Sequence, residues 1–233
     1  MATASNKAAK FTSLVLYGCW RSTCTHRVIL ALYYKNLGFD YKSVDLTRRE
    51  QEKPDFQLLS PEAQVPVLLV NNRPFTQSLA IITYLDTLGA KDAKSLFPED
   101  HEQRANAIEI CERVSSFIQP LTLPGAIRRS IGFYFSDDKD KSFDASATTF
   151  VKSTLIKNLR LLDNRIAVNG GPFSLGQIFS IADIFVYPQL LGASRLEIEL
   201  SQFSNLSVLA KTMESLSFVK LANPFKLHDA PKN

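Results

Sequence analysis

The stretch Ser13–Lys35, SLVLYGCWRSTCTHRVILALYYK, does most to limit how this chain can fold. Leu14, Val15, Leu16 and Tyr17 read as a buried strand, and Gly18 to Arg21 read as a turn. From Thr25 onward the chain reads as a helix, with Val28, Leu32 and Lys35 recurring at helical spacing. A strand therefore ends where a helix begins, and Ser22, Thr23 and Cys24 stand at the junction. The first backbone N–H groups of a helix have no intrahelical partner and carry the positive end of its dipole, so an anion, a thiolate above all, is stabilised there. Ser22 or Thr23 serves as the N-cap, worth about 1 kcal/mol. Cys24 reads either as a thiol lying in that field or as a small apolar group turned toward the core.

After this helix, Leu37–Asp40 forms a connection and Tyr41–Leu46 resembles a strand, giving a βαβ start. Arg48–Leu59 is polar and partly helical. In QVPVLLVNNRPFTQSLAIITYLD, Val65–Val70 and Arg73–Thr76 flank Asn71 and Asn72, a pair that tolerates the positive φ of a tight hairpin. A helix through Leu79, Ile82 and Leu85 follows, with Ser78 as its expected cap, so a second strand-to-helix junction is expected at Gln77–Ser78. Pro66 is awkward at a strand entry because it has no N–H. It fits either as a cis Val65–Pro66 bond that leaves the Val65 backbone open to an extended ligand, or as an ordinary trans proline. The order β, α, β, then β, β, α describes a small mixed sheet of thioredoxin-like topology.

The polar run GAKDAKSLFPED, residues 89–100, breaks the pattern and reads as a linker. Helices dominate beyond it. Ile108, Cys111, Ser115 and Ile118 are expected along one buried face, and Val151, Leu155, Leu159, Leu162 and Ile166 along another. Arg129–Ala147, with its mixed-charge DDKDK, reads as an irregular excursion. Asn169, Gly170 and Gly171 end one helix. Ser180-Ile-Ala-Asp183 opens the next, since Ser and Asp three apart can cap each other's backbone N–H groups. Pro188 should kink that helix, and the polar tail after Pro224 carries no readable pattern.

Composition narrows the chemistry. A net charge of +4, with basic residues scattered among acids, does not indicate nucleic acid. Three cysteines, Cys19, Cys24 and Cys111, are too few for a disulfide scaffold and point to a reducing compartment. His26, His101 and His228 are not grouped with acids at ligand spacing, so no metal is expected. No apolar run approaches a membrane span. The segment MATASNKAAKFTS lacks the apolar core of a secretion signal and the arginines of a mitochondrial one, so the expected compartment is the cytoplasm.

Taken together, the thioredoxin-like first half, the linker, the helical second half with its Ser-x-x-Asp cap, Gln64-Val-Pro-Val-Leu68 and Gln77-Ser78 resemble the cytosolic glutathione transferases. The segment Arg21-Ser-Thr-Cys-Thr-His-Arg27 narrows the resemblance to the zeta class, the maleylacetoacetate isomerases. The implied fold is α/β plus all-α. A thioredoxin-like glutathione-binding domain would span 12–89 and an all-helical substrate-binding domain 99–226. The resemblance implies glutathione as cofactor, a small carboxylate substrate and a homodimer. It makes Ser22 the hydroxyl that hydrogen-bonds the glutathione thiolate, with Thr23 and Cys24 beside it. Val65 would pair with the cysteinyl backbone, Gln77 and Ser78 would hold the γ-glutamyl carboxylate, and Arg27, Gln51 and Gln119 are further contacts. Arg195 would grip the substrate carboxylate through paired hydrogen bonds. Departures from the family motif are Thr23 for serine, His26 for tryptophan, and Thr122 and Leu123 for Gln and Asn. The stretch 129–147 is also longer. The implied reaction is the conversion of maleylacetoacetate to fumarylacetoacetate in phenylalanine and tyrosine catabolism, with transferase activity on small electrophiles. The alternatives are a transferase for α-haloacids or another maleyl acid, thiol–disulfide exchange at Cys24, and a non-catalytic binding module.

Overall fold

Strand β1 (Leu14–Gly18) alternates buried and half-buried residues, as a central strand with two covered faces should. In the computed structural model of the chain, which describes residues 13–88, 94–120 and 141–232 and only the backbone of 141–147, β1 is followed by α1 (Thr23–Tyr34) and β2 (Asp40–Ser43). The expected strand Tyr41–Leu46 is thus shorter and starts one residue earlier. Val44 leaves the strand but donates its N–H to Gly18 O at 2.7 Å and turns its side chain inward. A short helical turn at Glu50–Glu52 and α2 (Pro54–Gln57) follow, then the hairpin β3 (Val67–Val70) and β4 (Arg73–Thr76), and α3 (Ser78–Asp86). The hairpin loop is Asn71–Asn72, both at positive φ, as its turn geometry requires.

The sheet order is β2-β1-β3-β4, with β2 parallel to β1 and the other pairs antiparallel. Register places Leu16 opposite Leu68 and Leu14 opposite Val70 on one face, and Tyr17 opposite Val67 on the other. On that second face Val44, Phe56 and Val67 form a cluster, with the Tyr17 ring 6.2 Å from Phe56. Helices α1 and α3 pack on each other, and the Lys35–Asp86 ion pair, 3.0 Å long with Lys35 buried, ties their C-terminal ends together. This is the thioredoxin-like arrangement expected.

The described residues divide into two compact units, one within Met1–Lys94 and Ser217–Asn233, the other within Ser95–Leu216. Residues 217–226, assigned by the sequence reading to the helical domain, pack with the first unit. Helix α8 (Ser217–Leu221) sets Phe218 at 5.3 Å from Tyr34, and Phe225 lies 5.5 Å from Trp20. Aromatic side chains this far along the chain find their partners only in three dimensions.

The second unit contains α4 (His101–Glu112), which continues as a wider π-helical turn over Arg113–Ile118, then α5 (Lys141–Ala167), α6 (Ile181–Ser194) and α7 (Ser204–Ser215). The stripe Val151, Leu155, Leu159, Leu162 and Ile166 is buried as expected. The α4 stripe holds at Cys111 and Ile118 and shifts by one residue at the other two positions. Ala107, Ile110, Cys111, Val114 and Ile118 face inward, while Ile108 is 38% exposed and Ser115 half-buried. Ala107-Ile-Glu-Ile110 offers two apolar frames, and the buried one runs through Ala107 and Ile110. Residues 141–147, read as irregular, begin the long helix α5; residues 121–140, including Thr122 and Leu123, and the N-terminal 1–12 lie outside the described residues. Pro188 sits inside α6. No helix among the described residues is long and apolar enough to cross a membrane.

Candidate functional site

The β1-to-α1 junction is built by close approach. An added Cβ on Gly18 would stand 2.3 Å from the Thr25 methyl, so only glycine lets the first turn of α1 press against the end of β1. Thr25 then accepts the Cys19 N–H through Oγ1 at 3.3 Å, and Ser22 N–H closes the turn onto Cys19 O at 2.9 Å.

Ser22 is the N-cap. Its backbone is extended and its Oγ accepts the Thr25 N–H at 3.1 Å. Capping does not exhaust the group, because a hydroxyl has one proton to donate besides its lone pairs. Accepting Thr25 N–H leaves that proton available to an incoming anion. Thr23 is the first helical residue, and Thr23 and Cys24 are half-buried like Ser22. No acidic side chain occupies the first turn, so the positive end of α1 is not neutralised from within it.

Arg27 is buried, with 1% of its surface exposed, one turn further along α1. Its Nη1 donates to Ser78 Oγ at 3.4 Å and approaches Cys24 Sγ at 3.7 Å. A guanidinium therefore links the first turns of α1 and α3, and the Cys24 thiol faces a cation rather than an apolar core. Of the two thiols at this junction Cys19, not Cys24, is buried, and burial pushes its pKa up.

The second junction differs from expectation. Gln77, not Ser78, is the N-cap of α3, at φ 66 and ψ 115, and its side chain makes no capping bond. A non-glycine residue held there costs on the order of 1–3 kcal/mol, the kind of strain that clusters at ligand-binding positions. Ser78 is the first helical residue, buried, with its hydroxyl on Arg27. The first turn of α3 also has no acid. The Val65–Pro66 peptide is cis, and Val65 is half-buried before β3. Gln51 lies in the turn Glu50–Glu52, and its Oε1 is buried without a hydrogen-bond partner among the described residues.

Ser22, Thr23, Cys24, Arg27, Gln51, Val65, Gln77 and Ser78 belong to the first unit, with Cys24, Arg27 and Ser78 in direct contact. Gln119 and Arg195 belong to the second. Gln119 follows the π turn, half-buried, with its N–H on Val114 O. Arg195 is the half-buried C-cap of α6, its N–H on Leu191 O at 3.2 Å. Sequence reasoning missed the Gly18–Thr25 fit and the part played by the tail. Asp229 Oδ2 accepts the Trp20 N–H at 3.0 Å, a contact over 209 residues with no local signature.

The chain matches the family described as "Glutathione S-transferase, N-terminal domain" over residues 12–87 and that described as "Glutathione S-transferase, C-terminal domain" over residues 127–220. It is 31% identical over 219 residues to a Caenorhabditis elegans protein named "Probable maleylacetoacetate isomerase", covering 94% of this chain and 97% of the relative. It is also 31% identical over 221 residues to Arabidopsis thaliana Glutathione S-transferase Z1, covering 94% and 96%. Among solved structures, the maleylacetoacetate isomerase of Methylobacterium extorquens AM1 with bound malonate and GSH is similar with a TM-score of 0.82 at 27% identity, over 94% of this chain and 100% of that one.

Proposed function

The chain belongs to the zeta class of the glutathione transferase family, and from that membership we propose that it is a glutathione-dependent cis–trans isomerase converting maleylacetoacetate to fumarylacetoacetate, with transferase activity on small electrophiles. The observation that most supports this reading is the start of α1, where no acid stands in the first turn and the Ser22 hydroxyl keeps a proton to donate. A second acid-free helix start at α3 and the buried, unpartnered Gln51 Oε1 suit a ligand with several polar ends, as glutathione is.

Glutathione, when bound, supplies a thiolate that adds to the cis double bond, makes it rotatable and leaves again unchanged. Thiols of this kind are mostly protonated at neutral pH, with a pKa of about 8.5, so the protein must favour the thiolate. Ser22 Oγ–H and the N-terminal field of α1 do this. Thr23 and Cys24 border the sulfur, and the Val65 backbone pairs with the cysteinyl part. Gln77 and Ser78 hold the γ-glutamyl carboxylate at the start of α3, with Gln51 and Gln119 as further contacts. Arg27 acts from behind, holding Ser78 and Cys24. Arg195 receives a carboxylate of the substrate, for which a planar guanidinium is suited. The same reading takes the first unit as the glutathione-binding domain and the second as the substrate-binding domain of a cytoplasmic homodimer.

The test is isomerisation of maleylacetoacetate followed with and without glutathione at matched protein concentration. Isomerisation only in the presence of glutathione, with total glutathione unchanged, is the expected result. A protein that binds glutathione but isomerises nothing would overturn the reading.

A further inference from the structure

The C-terminal segment Asn223–Ala230 is laid beside the turn that presents Ser22. Asn223 caps its short helical turn by accepting the Phe225 N–H at 2.9 Å, and Pro224 and Ala230 are buried. Phe225 packs on Trp20, His228 packs on Tyr41 at 5.4 Å, and His228 Nε2 lies 3.1 Å from Ser43 Oγ. Between them Asp229 Oδ2 accepts two donors, the Trp20 backbone N–H at 3.0 Å and the Tyr41 hydroxyl at 3.3 Å. The Tyr41 hydroxyl is held protonated by its burial and by the Asp229 charge.

Within the turn Cys19–Ser22 the Cys19 N–H goes to Thr25 Oγ1 and the Ser22 N–H to Cys19 O, both inside the β1–α1 junction. The Trp20 N–H alone among these three is taken by a side chain from the far end of the chain. Asp229 Oδ1 is buried without a hydrogen-bond partner among the described residues.

We infer that Asp229 is a positioning residue for Ser22. It fixes the Trp20 peptide plane, and with it the direction of the Ser22 hydroxyl, so that the C-terminal segment is a working part of the glutathione site. The kinetic side of this inference rests on the proposed isomerase reading; the structural side does not. Trp20 is the only tryptophan in the chain, so its fluorescence reports the contact directly.

The experiment compares full-length wild type, Asp229→Ala and Asp229→Asn by tryptophan emission, acrylamide quenching, glutathione Kd by calorimetry, and isomerisation kinetics, with circular dichroism to confirm folding. Asp229→Ala is expected to shift Trp20 emission to the red, raise its quenching, and lower kcat/KM for glutathione roughly tenfold, the scale of one hydrogen bond to a charged group. Asp229→Asn keeps a carbonyl oxygen for the Trp20 N–H and should recover most of the emission and the kinetics. A folded Asp229→Ala protein with wild-type emission, or one with shifted emission and unchanged glutathione Kd and kinetics, overturns the inference. So does an Asn variant as impaired as the Ala variant. If wild type itself does not isomerise, the isomerase reading fails separately, and the emission and the glutathione Kd of the variants still decide for or against Asp229.

Discussion

The two longest described helices of the first unit, α1 and α3, begin differently from α4, α6 and α7 of the second. In the second unit α4, α6 and α7 each start on a carboxylate of the protein itself. Asp100 accepts the Gln103 N–H at 2.8 Å and Glu102 stands in the same turn. Asp183 accepts the N–H groups of Ser180 and Ser174 at 2.8 and 2.6 Å in a buried, reciprocal capping box. Asp163, reaching from α5, accepts the Leu206 N–H at 2.8 Å. In the first unit α1 starts on the neutral Ser22 and α3 on a strained Gln77 that caps nothing, and neither has an acid in its first turn. A carboxylate at a helix start stabilises it by about 0.3–1 kcal/mol. The second unit takes that stabilisation for itself, and the first leaves the same field to a ligand's anions. The same local motif, a helix N-terminus, is thus closed where it holds the fold and open where glutathione is proposed to bind.

The largest expected effect is on the closed side. Asp183→Ala leaves two buried N–H groups without an acceptor and should lower unfolding free energy by about 3–5 kcal/mol in urea melts, with the glutathione Kd of the folded protein unchanged. On the open side the balance reverses. Ser22→Ala should cost about 1 kcal/mol of stability as a lost cap but lower kcat by on the order of a hundredfold, as loss of one donor to a developing anion does. A Ser22→Ala enzyme of wild-type turnover would erase the distinction between the two ends.

The pH dependence of stability sharpens the comparison further. Burial raises the Asp183 carboxyl to about 6, above the ordinary value of 3.8, against the backbone hydrogen bonds that favour its charged form. Between those values the folded protein holds more protons at this site than the unfolded chain. Its contribution to stability is therefore full below the ordinary value and lost as pH rises through the folded one, by roughly 1 kcal/mol per pH unit. The wild type minus Asp183→Asn difference in unfolding free energy, measured across that window, should fall as pH rises. The smallest effect should come from closing the open end. Thr23→Asp is expected to stabilise α1 by about 0.5 kcal/mol while weakening glutathione binding roughly tenfold, a gain and a loss from one added charge.

Much of this organisation is legible in the residues because it is local. Alternation in Leu14–Tyr17, the Asn71–Asn72 turn, the Ser180–Asp183 box and the Val151–Ile166 stripe each depend on spacing within one element. The readings that shifted are those where local signals tie. The α4 stripe has two apolar frames. The cap of α3 is expected at Ser78 but falls at Gln77, whose unusual backbone no propensity announces. The Arg129–Ala147 stretch looks too polar to be regular, yet residues 141–147 open a helix stabilised further along by the buried stripe.

The site divides in the same way. By itself the sequence determined the strand-to-helix junction at Ser22 and the family motif, since these follow from residue type and short-range geometry, whereas the need for glycine at position 18 shows only in its contact with Thr25. Only the tertiary structure decided that Arg27 is buried between Cys24 and Ser78, that Ser78 serves Arg27 rather than capping its helix, and that Asp229 reaches the turn beside Ser22. Each of those is a side-chain contact made across 51 or 209 residues of chain, or a consequence of one. Such contacts leave no periodicity for a sequence to display, because they depend on where folding brings the two ends and not on what lies between them.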